Sequence, residues 1–229
     1  MKYLIYIGLL LGLFACNREP TTFPVVKYAG AIRNVTELND TTNHIYLDTI
    51  RPHRRLYGFG PLSGMAGEIL IVDGRPYVST INERGRRQVK QTYEAKAPHF
   101  VYTHIRSWHE AELPRDSILN KQNLGAHLEA LALKSAIDVE KPFPFLLKGR
   151  FRKITYHISD VHKHHSSGSQ TVEDVDVIIL GFFSKHHENI FTEPGSHVVM
   201  SFMTTSASVI GQIDQLTLKG KRVQLLLPD

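Results

Sequence analysis

Histidine is the residue type in this sequence that most invites a metal site, and it occurs 13 times. His162, His164 and His165 stand beside a Ser/Gly-rich stretch, and His186 and His187 follow an apolar run. Imidazole nitrogens bind transition metals, so either group could hold an ion. No carboxylate or cysteine recurs at ligand spacing, however, which favours ordinary solvent-facing loop residues.

Nucleophilic catalysis by serine has no support in the sequence pattern. A hydrolase of the α/β type presents its serine in a Gly-x-Ser-x-Gly turn that leads into a helix. No such turn precedes a predicted helix here. Trp108, His109 and Glu110 are most simply interpreted as a strand end with a partly buried aromatic ring.

The single cysteine, Cys16, closes an N-terminal segment with the features of a secretory signal. A positive Met1-Lys2 pair precedes an apolar stretch of about a dozen residues, which is too short to span a bilayer. Leu13-Phe14-Ala15-Cys16 resembles the lipobox of bacterial lipoproteins, in which the cysteine carries the lipid. A core helix containing a cysteine is the alternative, and the polar residues at 17–20 disfavour it. We therefore expect a signal peptide at 1–15 and lipidation of Cys16.

The remaining chain divides into a polar tether at 16–26 and one domain at 27–229, which is long enough for a sizeable core. This organisation predicts a lipid-anchored protein of the bacterial cell envelope, facing the periplasm or the surface. The expected partners are the membrane, through the anchor, and an unknown small molecule or envelope protein.

The formal charge is +5, and the basic residues gather in two runs, at 51–55 and at 84–90. Contact with acidic lipid head groups or polysaccharide is one interpretation, and solvated loops are the simpler one. The runs lack interleaved aromatic residues, and exported proteins rarely meet nucleic acid, so no nucleic-acid partner is expected.

Strands are the elements that would position these residues. Gly67–Tyr77 predicts a hairpin around Asp73-Gly74, and Phe100–Arg106 predicts a further strand. One helix is expected to be capped by Asp116 or Ser117 and to end before Pro142. Its Leu124, Leu128 and Leu131 recur at helical spacing and indicate one buried stripe.

The second half of the chain predicts mostly strands. They are expected at 145–148, 151–159, 175–183, 197–204, 209–216 and 222–227, with Gly149 between the first two and a Lys219-Gly220 turn before the last. The predicted fold class is α+β, sheet-rich with mixed or antiparallel sheets and two helices.

Three ordered segments resemble the acetolactate decarboxylase family. Tyr57–Tyr77 carries a Gly-x-Gly turn, a Gly-Glu pair, a strand, a Gly turn and a tyrosine. Phe145–Ser159 resembles the family's strand-Gly-x-Phe segment. Gly181–Ser184 leads through Phe191–Ser196 to Asp214. Order and spacing agree from about Lys27 onward, so the resemblance covers nearly all of the predicted mature chain.

The resemblance implies a zinc lyase that converts acetolactate to acetoin and carbon dioxide. Family members hold zinc with a His-x-His pair on one strand and a Gly-His histidine on the next. Alternate residues of a strand share a face, and three ligands leave one position open for substrate. The metal acts as a Lewis acid on the substrate oxygens, assisted by a carboxylate and an arginine.

In this chain the three ligand positions fall on Val199, Ser201 and Gln212. Valine has no donor atom, and a neutral hydroxyl and an amide carbonyl are weak zinc ligands. We therefore expect no metal ligands and no cofactor. The family carboxylate falls on Glu68 and its arginine on His157, which are the candidate catalytic remnants.

His197 has the strand parity of Val199 and Ser201, so with Glu68 and His157 it could hold a metal in a rearranged site. Three functions therefore stay open. The first, which we favour, is an inactive family member that binds a small molecule, glycan or partner protein. The second is an active decarboxylase with altered metal ligation, and the third is a structural envelope component.

Overall fold

Antiparallel strands dominate the computed structural model, which describes residues 23–82, 84, 86–114, 118–159, 168–219 and 223–229. Several features predicted from the sequence lie outside these residues: the signal peptide, Cys16 and the tether as far as residue 22, the helix caps Asp116 and Ser117, the histidines at 162–165, and Gly220 of the turn before the last strand. None of the described helices is long and apolar enough to cross a membrane.

The described chain contains two helices, α1 (Ile32–Thr36) and α2 (Lys121–Lys134), and single helical turns at Leu47–Thr49 and Ser63–Met65. The strands in chain order are β1 (Lys27–Ala29), β2 (Ile45–Tyr46), β3 (Leu56–Pro61), β4 (Gly67–Val72), β5 (Arg75–Ile81), β6 (Arg87–Lys90), β7 (Lys96–Ala97), β8 (Phe100–His104), β9 (Trp108–Ala111), β10 (Ile118–Asn120), β11 (Phe143–His157), β12 (Gln170–Phe183), β13 (Val198–Thr204), β14 (Ile210–Lys219) and β15 (Val223–Pro228).

Two large sheets are formed by the described strands. The first has the order β1-β8-β3-β4-β5-β6, and the second has the order β10-β14-β13-β12-β11-β15-β9. The second sheet curls back on itself, because β11 pairs with β15 through its first half and with β14 through its second half. A register shift between Thr155 and Tyr156 accompanies this turn of the strand.

Apolar side chains on the facing surfaces of the sheets hold the two sheets together. Tyr57, Leu70 and Val101 of the first sheet share a buried cluster with Phe182 and Val199 of the second. A larger core fills the concave side of the second sheet, where α2 contributes Leu124 and Leu128. Because alternate residues face opposite ways, each of the strands β11 to β15 contributes side chains to both clusters.

The predicted α+β fold and the hairpin are confirmed, and two details of the prediction are wrong. The segments at 145–148 and 151–159 form one strand, β11, because Gly149 continues the strand at a positive φ instead of breaking it. The helix begins later than expected, with Asn120 as its cap. The Asn120 side chain accepts from the amide of Asn123, and the Asn123 side chain accepts from that of Asn120.

Candidate functional site

The candidate site lies where β4 of the first sheet packs against β13 and β14 of the second. Glu68 is two residues before Leu70 on β4, and Leu70 belongs to the cluster between the sheets. Glu68 therefore projects from the same face, toward the second sheet. Ser201 on β13 and His157 on β11 are both register partners of Gln212 on β14.

Glu68 is a buried carboxyl, with 2% of its surface exposed. Its Oε1 accepts two hydrogen bonds from Ser159, one from the amide at 2.8 Å and one from the hydroxyl at 2.7 Å. Burial raises the pKa of Glu68, although the charge of His157 and the bonds from Ser159 oppose this rise. The site therefore favours the protonated acid more than water does.

His157 is held by Asp214, whose Oδ1 lies 2.5 Å from the ring Nδ1. The other oxygen of Asp214 accepts from the Ser169 hydroxyl at 3.2 Å. Burial lowers the pKa of His157, but the bond to Asp214 and the nearby carboxylates, Glu68 among them, outweigh burial and raise it. With Nδ1 bound to Asp214, Nε2 is the nitrogen that can contact a ligand.

A cavity of about 430 Å³ opens beside these residues. Part of its wall is apolar, from α1 and Met65, and part is polar. The residues that line it are Ile32, Val35, Thr36, Asn39, Met65, His99, His157, Ser159, Glu193 and Gln212. Burial lowers the pKa of His99 to about 4, so this ring is neutral at pH 7. The polar part of the cavity thus combines a neutral imidazole, an Asp-bound imidazole, an amide and the carboxylate of Glu193.

The positions that the family resemblance assigns to zinc come together in the structure. Ser201 pairs with Gln212, and Val199 lies two residues before Ser201 on β13. Their side chains do not fit zinc. Val199 is buried among apolar residues, and the Ser201 hydroxyl donates to the carbonyl of Gly211 at 3.2 Å. Within the described part of the chain, no three His, Cys, Asp or Glu side chains are placed to hold a metal ion.

His197 does not line the cavity beside His157. It is exposed and lines a second cavity of about 480 Å³ with α2 residues, Lys121 among them. Between the two cavities stands Glu193, whose carboxylate lies 2.8 Å from the Nζ of the buried Lys121. The rearranged site of His197, Glu68 and His157 is therefore not assembled in this structure.

The remaining sequence candidates have structural partners. His186 contacts Glu140 at 2.8 Å, and His187 contacts Ser184 at 2.7 Å. Trp108 is half-buried and donates to the hydroxyl of Tyr57 at 3.2 Å. His186 is exposed and Trp108 is partly buried at a strand end, as the simpler interpretations expect, whereas His187 is half-buried and stacks on Phe191.

One serine, histidine and aspartate, Ser135, His109 and Asp229, do form a hydrogen-bonded arrangement like that of a catalytic triad. The ring of His109 lies 3.1 Å from the Ser135 hydroxyl and 2.9 Å from Asp229. Acyl transfer also needs donors for an oxyanion. The amides of Ser135 and Ala136 instead donate to carbonyls of the last turn of α2. This line of residues therefore lacks the local amide donors of a serine hydrolase.

Sequence reasoning missed Asp214, Ser159 and His99 as members of the site. Asp214 carried a usable signal, because it follows Gln212 by two residues on a strand and so lies on the same face. Ser159 and His99 carried none, since they lie just outside β11 and β8 and approach the site only through the packing of the two sheets.

Comparison with known proteins gives a consistent result. A family model described as alpha-acetolactate decarboxylase matches residues 56–226. Among solved structures, acetolactate decarboxylase from Bacillus subtilis subspecies spizizenii superposes with a TM-score of 0.68 at 13% identity, covering 89% of this chain and 85% of that one. Alpha-acetolactate decarboxylase from Bacillus subtilis strain 168 gives 0.64 at 13% identity, covering 89% and 86%.

A Staphylococcus aureus protein of unknown function, described as similar to alpha-acetolactate decarboxylase, gives a TM-score of 0.64 at 15% identity. That alignment covers 89% of this chain and 84% of the other. No curated protein matches the sequence. At these identities, the solved structures establish the fold.

Proposed function

Because the chain belongs to the alpha-acetolactate decarboxylase family, we propose that it is an exported lipoprotein whose decarboxylase-like domain binds a small molecule without zinc-dependent catalysis. The observation that carries the proposal is the chemistry of Val199, Ser201 and Gln212. These residues occupy the ligand positions implied by the family, and together they offer zinc no imidazole and no carboxylate. Fold membership alone does not supply the activity.

The cavity beside these positions supports ligand binding. Its volume of about 430 Å³ lies within the range of small-molecule sites. Ile32, Val35 and Met65 can pack against an apolar part of a ligand, while His157 and Gln212 offer polar contacts. A small organic molecule with a short apolar chain and a hydroxyl, keto or carboxyl group suits this lining.

The polar groups of the site also suit a binding role. Asp214 fixes the ring of His157, and Ser159 fixes the carboxyl of Glu68, so neither side chain must be ordered when a ligand arrives. Pre-ordered groups lower the entropic cost of binding. The same two residues could transfer protons, and an active decarboxylase with altered ligation is therefore the alternative that the experiment must separate.

Export and anchoring rest on the sequence of the N-terminal segment. A lipobox-like Leu13-Phe14-Ala15-Cys16 follows an apolar stretch of signal-peptide length. Mass spectrometry of the protein from membranes should find a mature chain that begins at Cys16 and carries lipid. Cys16→Ser should abolish the lipid and leave the precursor unprocessed.

Catalysis is tested by incubating the purified protein with acetolactate and zinc or cobalt, beside the Bacillus subtilis enzyme. We expect no acetoin above the spontaneous rate and no tightly held metal by elemental analysis. Turnover at a rate comparable with that enzyme would refute the inactive assignment and establish the alternative.

Ligand binding is tested by thermal-shift screening of short hydroxy acids, keto acids and diols. A hit at a hundredfold excess over its Kd should stabilise the fold by about 2.7 kcal/mol. Thr36→Trp, which places an indole at the cavity wall, should abolish the shift, and Glu37→Trp next to it should not. A ligand whose thermal shift is unchanged in Thr36→Trp would show that the cavity is not its binding site.

A further inference from the structure

The polar tether reaches the fold at one end of β8. β1 pairs with β8 in antiparallel register, with Lys27 opposite Tyr102. Before β1, the carbonyl of Val25 accepts a hydrogen bond from the Thr103 hydroxyl at 2.9 Å. The chain therefore runs from the N-terminal side along β8 and meets it at its His104 end.

Arginines concentrate at this same end. Arg54, Arg55 and Arg106 are exposed and, together with His104, line a shallow cavity of about 340 Å³. The pairing of Leu56 with His104 and the bond from the Ile105 amide to the Arg55 carbonyl hold the two segments together. We call Arg54, Arg55 and Arg106 with their surroundings the arginine end.

Further charges surround these three residues. Arg51 and Arg75 also lie at the arginine end, because the Gly74 amide of the β4–β5 turn donates to the carbonyl of Leu56, which directly follows the loop at residues 51–55. Acidic residues also lie near this end, among them Asp48, Asp73 and Asp229. The five arginines named here, Arg51, Arg54, Arg55, Arg75 and Arg106, outnumber these three carboxylates.

The candidate ligand cavity lies at the opposite end of β8. His99, on its wall, directly precedes Phe100, where the strand begins. Arg106 follows His104, where the strand ends, and Arg54 and Arg55 precede Leu56, the register partner of His104. A strand of this length separates its ends by roughly 15 Å. α1, which forms the apolar part of the cavity wall, follows β1 at the end where Ala29 pairs with Phe100.

We propose that the arginine end docks on anionic lipid head groups and thereby turns the ligand cavity away from the membrane. The proposal rests on the lipid anchor proposed at Cys16. The stretch of chain from Cys16 to Phe23 reaches at most about 25 Å, which keeps the arginine end close to the bilayer. Charges on the two surfaces attract each other within a Debye length of about 8 Å at physiological salt.

The proposal is tested on the lipidated protein in vesicles of phosphatidylcholine, with or without phosphatidylglycerol. Cys16 is the only cysteine, so after its acylation Ser107→Cys provides a unique thiol for a fluorophore at the arginine end. Glu37→Cys provides one near the cavity. Energy transfer to a labelled lipid should be strong from position 107 and weak from position 37, and this difference should require phosphatidylglycerol and low salt.

The arginines are then replaced in R54Q/R55Q/R106Q, and an equal charge is removed elsewhere in R33Q/R84Q/R86Q. Each arginine at an anionic surface contributes roughly fivefold to membrane partitioning, so the first variant should lose on the order of a hundredfold in affinity for the lipid surface. Its position-107 signal should fall to the phosphatidylcholine value, while the second variant keeps the wild-type signal. Equal signals in the two vesicle types, or equal effects of the two variants, would overturn the proposal.

The lipid anchor at Cys16 and the docking of the arginine end can be refuted independently of each other. A free thiol on Cys16 in the protein isolated from membranes would refute the anchor. Flotation with the same vesicles would then still test whether the arginine end binds anionic lipid. The wild type must float with vesicles that contain phosphatidylglycerol, and R54Q/R55Q/R106Q must not.

Discussion

Ser201 and Gln212 are register partners on neighbouring antiparallel strands, and Val199 lies on the same face as Ser201. This is the geometry that a His-x-His pair and a third histidine on the next strand need to converge on one ion. The backbone that the family resemblance implies for a metal site is therefore present, and its side chains are valine, serine and glutamine.

Restoring the ligands should restore zinc binding. We expect V199H/S201H/Q212H to hold about one zinc per chain, because three imidazoles with an open fourth position are a sufficient set. Zinc at a hundredfold excess over its Kd should add about 2.7 kcal/mol to the free energy of unfolding. Elemental analysis and melting with and without chelator check this, and V199H alone is the control. A triple variant that folds but binds no zinc would contradict the assigned positions.

Asp214→Asn should lower the pKa of His157. The hydrogen bond from Asp214 and its negative charge both raise that pKa in the wild type, and the amide removes the charge. Because the folded pKa is raised above 6.5, the protonated ring contributes stability below pH 6.5, and this is lost as pH rises through the folded pKa. The variant should therefore lose more stability at pH 6 than at pH 9. Histidine NMR titration gives the pKa directly, and a pKa unchanged by the substitution would contradict the role of Asp214.

Glu68→Gln should change how stability depends on pH. Burial raises the folded pKa of Glu68, so the folded state binds more protons than the unfolded state between pH 4.5 and the folded pKa. Wild-type stability should therefore fall as pH rises through this window, by about 1.4 kcal/mol for each pH unit that the window spans. Gln keeps an oxygen for Ser159 and cannot ionise. Denaturant unfolding of both proteins from pH 4 to 8 tests this, and parallel curves would refute it.

The elements of the fold were largely accessible from the sequence because their signals are local. Asp73-Gly74 between apolar runs fixed the hairpin, and the spacing of Leu124 and Leu128 fixed the buried face of α2. The single strand through Gly149 was not accessible. Glycine usually marks a break, and only the pairing of β11 with both β12 and β15 around it keeps the strand extended.

The site was accessible only in part. Glu68, His157 and Gln212 were identified through family resemblance, and the structure brings them to one place between the sheets. The bond between His157 and Asp214, 57 residues apart, depends on the curl of the second sheet and has no local pattern. His99 likewise reaches the cavity only because the first sheet packs there.

Gly181→Ala should destabilise the protein, because β12 needs a glycine opposite Phe145. The two residues are register partners, and a Cβ on Gly181 would lie 2.1 Å from the fully buried Phe145 ring. Overpacking of this kind costs about 1–3 kcal/mol. Gly125→Ala is the control with the opposite sign. Its Cβ would meet only the side chain of Val198 at 3.8 Å and the Cβ of His197 at 4.0 Å, so replacing a helical glycine should stabilise by up to about 1 kcal/mol. Denaturant unfolding measures both changes. Equal midpoints for the two variants would show that the Phe145 ring can move aside to accommodate the added Cβ.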